Sequence, residues 1–275
     1  MIARTLLCLS LLLLLLAAPA AGRAGMPGSV FLEDLTWTEL AQDIKAGKTT
    51  ILVPIGGVEQ SGPYMALGKH DARARALAEK IARALGNALV APVVAYVPEG
   101  DVSPPTLHMR FPGTITLPDA AFETVLEYAA RSFKLHGFRD IVFLGDHGGY
   151  QADEALVADR LNRECRATPV RVHAVLAYYR ITQTDYVAAL KRRGYSAAEI
   201  GTHAGLADTA LTLALAPGLV RLDGLSAAPP PRPADGISGD PRRASAELGE
   251  LGVQLIVSET AADVRRAVAR PPVPR

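Results

Sequence analysis

Two apolar runs, residues 49–55 (TTILVPI) and 141–144 (IVFL), each pass at once into a glycine-rich loop and then into a helical pattern. No other feature of the chain restricts its fold as much. The first run is rich in β-branched and apolar residues and must turn at Gly56-Gly57; the second turns within Gly145-Asp146-His147-Gly148-Gly149. Strands that alternate with helices predict an α/β class fold, a three-layer α/β/α sandwich around a mostly parallel sheet, in which ligands gather at the carboxyl ends of strands.

The remaining segments keep this alternation. Helical spacing predicts a helix over 35–46 ending at Gly47, another over 72–85 ending at Gly86-Asn87, and a strand over 88–97 edged at Pro92. Residues 98–118 form a loop-rich insertion with a short strand pattern at 114–117, longer than a plain connector needs. Asp119 is placed to cap a helix running to His136, with Gly137 at the residue after its end. Further expectations are a helix over 151–165, a strand over 170–178, a helix over 185–193, an Ala/Leu-rich helix up to Pro217 and a last helix over 243–270. One domain, residues 27–270, accounts for all of these, and no internal repeat is visible.

Arg4 precedes an apolar stretch, residues 6–18, with Ser10 as its one polar residue, and Ala18-Pro19-Ala20 fits an A-x-A cleavage site, so residues 1–20 are expected to be a secretory signal peptide. The chain is then expected to be secreted, into the periplasm, and free of the membrane after cleavage. Cys8 falls inside that stretch. Cys165 is the cysteine left after it, which excludes an intramolecular disulfide and a thiolate zinc site. A formal net charge of +1 with acids and bases interspersed gives nucleic acid nothing to bind.

Three loops carry residues suited to chemistry. The stretch 53–71, VPIGGVEQSGPYMALGKHD, holds Glu59, His70 and Asp71; GDHGGY, residues 145–150, presents His147 among glycines; and HAGLADT, residues 203–209, holds His203 and Asp208. Each alone also reads as an ordinary loop, with Asp71 or Asp146 capping a helix. Together, Glu59, His70, His147 and Asp208 offer two imidazoles and two carboxylates, a set suited to a divalent metal, zinc first and manganese or iron as alternatives. His203 and Asp208 are five residues apart, too far for one helix face, so only one of them is expected to face the ion. Asp71, or Asp208 if it is not a ligand, is a candidate to carry a proton, and His108 to line the cleft. Walker and Rossmann patterns are absent, and no G-x-S-x-G elbow supports Ser61 as a nucleophile.

In order along the chain stand GGVEQSGPYMALGKHD, HMRFPGTITL (108–117), DHGGY (146–150), HAGLADT and GDPRRAS (239–245). With these five landmarks the chain resembles the creatininase family over about residues 52–255. Glu59 and His147 match family metal ligands unchanged. Ser61 stands where the family has a histidine ligand, His70 at the place of a bridging aspartate with Asp71 next to it, and Asp208 at the place of a glutamate; Tyr64 and Tyr150 replace a histidine and an asparagine. The resemblance implies hydrolysis of a C–N bond in a small or cyclic amide by metal-activated water, on an α/β/α fold that forms homo-oligomers. The departures favour one ion, held by Glu59, His147 and either His70 or Asp208. They also leave a second expectation open, a degenerate relative that binds a small molecule or supports an oligomer without turnover.

Overall fold

The structure, a computed structural model, describes residues 28–269; the signal-peptide expectation for residues 1–20 lies outside them. Strands β1 (Thr50–Ile55), β2 (Ala88–Val90), β3 (Asp140–Gly145) and β4 (Arg171–Ala174) form one parallel sheet in the order β2-β1-β3-β4. The helices are α1 (Trp37–Lys45), α2 (Lys69–Leu85), α3 (Asp119–His136), α4 (Gln151–Cys165), α5 (Ala177–Gln183), α6 (Asp185–Arg192), α7 (Ala197–Ile200), α8 (Leu206–Leu215), α9 (Leu222–Ser226) and α10 (Ala246–Ala269).

The two-residue period of β1 sorts its side chains into two cores. Ile51, Val53 and Ile55 pack with Phe122, Leu126 and Ala130 of α3 and with Val157 and Leu161 of α4. Leu52, facing the other way, packs with Leu77 and Ile81 of α2, Leu211 of α8 and Val253 and Ile256 of α10. Both faces of the sheet are therefore covered, as an all-parallel sheet requires. Among the described residues no helix is long and apolar enough to cross a membrane.

Register places the site. Thr50 pairs with Asp140 and the ladder runs to Ile55 opposite Gly145, so β1 and β3 end side by side. β2 lies on the far side of β1, which makes the β1/β3 boundary the point where the strand order reverses. Such a switch point opens a crevice at the carboxyl ends of the strands.

Several boundaries depart from the sequence expectations. The strand expected over 88–97 stops at Val90; beyond Pro92, which has no N–H to donate, a single bridge joins Ile55 to Val94. Residues 114–117 are extended but form no strand, their N–H groups at Ile115 and Leu117 donating to Val58 and Val97 carbonyls. The strand expected over 170–178 gives way at Ala177 to α5, which carries Tyr178 into the interior. Asp119 lies in the first turn of α3 and makes no side-chain cap; Pro118 holds the cap position. Most consequential, α2 starts at Lys69, three residues before the expected start at 72, so Lys69 and Arg73 share one helix face with His70 beside them.

Candidate metal centre

Glu59 lies at the floor of the crevice, on the loop that leaves β1. That loop turns at Gly57, whose φ is +142°; a Cβ there would sit 2.8 Å from Glu99 Oε1 and 2.9 Å from Val97 Cγ2. Only glycine permits this approach. The Gly57 N–H donates to Asp71 Oδ1 at 2.9 Å, so Asp71 props the loop from the first turn of α2.

One oxygen of Glu59 belongs to a buried ion network. Oε1 accepts from His70 Nε2 at 2.7 Å and lies 3.3 Å from Lys69 Nζ. His70 Nδ1 is 2.6 Å from Asp146 Oδ2, which Arg73 Nε approaches at 3.1 Å; Tyr178 donates to the other oxygen of Asp146 at 3.0 Å. Arg73 Nη1 reaches Asp208 Oδ1 at 2.9 Å, and Asp208 Oδ2 faces Lys69 Nζ at 3.5 Å and accepts from the Ala204 N–H at 2.8 Å. Burial raises the pKa of Glu59 and of Asp208, but Lys69 with His70 in the first case, and Lys69 with Arg73 in the second, outweigh it, and both carboxylates stay well below their usual range. His70 is pushed the other way. Burial and Lys69 favour its neutral ring, yet Glu59 and Asp146 on its two nitrogens hold the imidazolium.

The other oxygen of Glu59 faces a different set. Oε2 is 3.2 Å from His108 Nε2 and 3.6 Å from His147 Nε2, and His147 Nδ1 is 3.9 Å from Glu99 Oε2. Donor atoms of Glu59, Glu99, His108 and His147 all lie within 4.8 Å of one another. Atoms that share an ion through bonds of about 2.0–2.3 Å end up no more than about 4.6 Å apart, so one divalent ion fits with small adjustments. Glu59 Oε2 and both oxygens of Glu99 are buried without a hydrogen-bond partner. Buried polar atoms left so are rare, and a cation would satisfy all three.

Electrostatics agree with a cation here. Burial, then the charge on Glu59, pushes the Glu99 carboxyl up to about 9. Burial, with the charges of His70 and Lys69, lowers His147 to about 4; burial and Lys69 do the same to His203, and His108 is lowered by burial with Lys69 and His70. Three neutral imidazoles thus stand at the mouth, where their side chains keep 16–20% exposure against none for Glu59. The Gln60 amide contacts His108 Nδ1 at 3.2 Å and His203 Nε2 at 3.1 Å, fixing two of these rings.

Of the ligands expected from sequence, Glu59 and His147 join this cluster, and His108, expected to line the cleft, is part of it. His70 instead bridges the carboxylates of Glu59 and Asp146, Asp208 holds Lys69 and Arg73, and Asp71 supports the loop. His173 is bonded to Asp140 at 2.9 Å, in the sheet. Glu99 was not foreseen. Its one signal was position, at the head of the long insertion just after an apolar run.

Comparison with known proteins follows the same lines. The family model Creatininase, described as creatinine amidohydrolase, matches residues 33–264. Creatinine amidohydrolase of Pseudomonas putida is 29% identical over 87% of this chain and 98% of its own length. A mycofactocin precursor peptide peptidase of Mycolicibacterium smegmatis is 34% identical, over 41% of this chain and 44% of its own length. A solved structure titled "Creatininase Mn" superposes with a TM-score of 0.72 at 26% identity, covering 88% of this chain and all of that one; a mutant creatininase titled "Zn-Zn type" gives the same values.

Proposed function

We propose that this chain, which belongs to the creatininase family, is a metal-dependent amidohydrolase that cleaves a C–N bond in a small or cyclic amide, with Glu59, Glu99, His108 and His147 holding one divalent ion. The observation that carries this reading is the set of three buried carboxylate oxygens without partners, ringed by neutral imidazoles. Relatives named as hydrolases of amide and peptide bonds support the reaction class. Bound there, a divalent ion supplies a nucleophilic water at neutral pH and a Lewis acid for the amide carbonyl.

The chain's own residues supply the rest. His70 and Lys69 fix Glu59 and keep it ionised; Asp146, held by Arg73 and Tyr178, orients His70 in turn. Substrate enters between the partly exposed imidazoles, the open side of the site. His203, neutral and with Nδ1 3.6 Å from Glu59 Oε1, is placed to take a proton and pass it to the departing nitrogen. Asp208 is tied to two cations and does not serve in that role. Zinc remains the first choice of metal, with manganese and iron as alternatives; solved relatives are titled for manganese and zinc.

The test is to strip the protein with a chelator and reload it with zinc, manganese or iron against a panel of cyclic and linear amides. Activity is expected to vanish and to return with one ion. His147→Ala should weaken metal binding by more than about 100-fold, beyond the loss usual for a partner that only orients a ligand, and His173→Ala should leave it unchanged. Equal losses, or activity indifferent to chelation, would remove the metal reading.

We propose also that the chain is exported to the periplasm and works as a homo-oligomer. The apolar segment at 6–18 supports the first. Exposed Tyr128 and Leu135 on α3 and Leu156 on α4 support the second. The processed chain should start near residue 21 in the periplasmic fraction and sediment as a multimer; an unprocessed chain confined to the cytoplasm would count against the first, and a monomer against the second.

A further inference from the structure

We infer that the Lys69 ammonium, backed by the Arg73 guanidinium, occupies as a tethered cation the place from which a second divalent ion would bridge Glu59 and Asp208, so that this chain holds one ion where a relative holds two. The fold itself accommodates a pair, since one solved relative is titled "Zn-Zn type". Here the Lys69 side chain is fully buried between the two carboxylates, 3.3 Å from Glu59 Oε1 and 3.5 Å from Asp208 Oδ2.

The donors for a second ion are missing as well. Ser61 and His70 stand where the resemblance places a histidine ligand and a bridging aspartate. The Ser61 hydroxyl is buried without a partner, beside a small cavity it shares with Ala204 and Thr209. Both ring nitrogens of His70 are engaged by carboxylates, at 2.7 and 2.6 Å, and neither faces open space where an ion could sit. Charge closes the argument. Lys69 and Arg73 between them contact Glu59, Asp146 and Asp208, so a second dication in this pocket would meet carboxylates that already face a fixed cation. Glu99, on the far side of Glu59, is the acid left for the first ion.

This inference deepens the proposed function and rests on it for the first ion only; the claim about the second needs just the pairing across Lys69. The experiment compares metal content by equilibrium dialysis in wild type, Lys69→Arg, Lys69→Ser and the triple variant Ser61→His/Lys69→Ser/His70→Asp, each checked for cooperative unfolding. Wild type and Lys69→Arg are expected to bind one equivalent of manganese and to give the electron paramagnetic resonance signal of an isolated ion. The triple variant, which removes the ammonium and restores both donors, should gain one further equivalent with a spin-coupled signal, and Lys69→Ser, which still lacks those donors, should stay at one. Wild type without metal would sink the metal reading of the function, while a gain of one equivalent in the triple variant would still uphold the inference. Wild type that binds a coupled pair overturns it outright, a result independent of whether any variant folds. No gain in a folded triple variant overturns it equally.

Discussion

Arg73→Met is expected to lower the melting temperature by roughly 6–20 °C, because breaking a buried ion pair costs about 3–5 kcal/mol and each kcal/mol shifts a domain of this size by about 2–4 °C. Arg73 is fully buried, and its guanidinium is the cation that joins Asp146 to Asp208. Methionine fills much of the volume, but buried Asp146 and half-buried Asp208 each lose one of their partners. The fitting control is Arg131→Met. Arg131 pairs with Glu127 and Glu164 across the surface of α3 and α4, where such pairs are worth about 1 kcal/mol or less. Calorimetric melts of both variants decide the matter; equal shifts would mean that the buried network carries no special weight.

Metal affinity is expected to rise about tenfold per pH unit below pH 9, roughly 100-fold from pH 6 to pH 8, since one proton must leave for each ion that binds. The proton is that of Glu99, whose carboxyl burial and the Glu59 charge push to about 9. His147, lowered to about 4 chiefly by burial, has none to lose in this range. Manganese titrations in buffers of different ionisation enthalpy should show about one proton released per ion at pH 7. Glu99→Gln should flatten the slope, and a flat wild-type profile would take Glu99 out of the ligand set. The metal-free protein should behave in the opposite sense. A carboxyl whose folded pKa lies above its ordinary 4.5 stabilises the fold below that value, and this stability is lost as the pH rises through about 9.

The sequence exposes the layers of this fold because its strands and helices carry their own periodicity, and α4 runs from Gln151 to Cys165 as expected. It exposes Glu59 and His147 because glycines beside them mark where adjacent strands end. Lys69 and Arg73 stay hidden for a physical reason. Both residue types are almost always solvated, so an Ala-rich helix bearing them reads as having a wet face, whereas here both are buried among carboxylates from three other segments. With those cations unseen, His70 and Asp208 looked available to a metal. Glu99 stays hidden because a Pro- and Gly-rich connection has no period from which to read its inward turn.

The connection between β2 and α3 gives the centre two unequal halves. Glu59 and His147 stand at the ends of the two middle strands, whereas Glu99 and His108 come from residues 98–118, a segment laid along the Glu59 loop by contacts from Thr114 to Gln60 and from Ile115 to Val58. The strand-end half is bound to the core and cannot drift without unfolding the sheet. The other half is held by loop hydrogen bonds and not by a strand ladder. Because Glu99 and His108 come from one segment, a change that shifts residues 98–118 moves half of the four clustered donor groups and one of the partly exposed imidazoles together, while the strand ladder beneath is left in place.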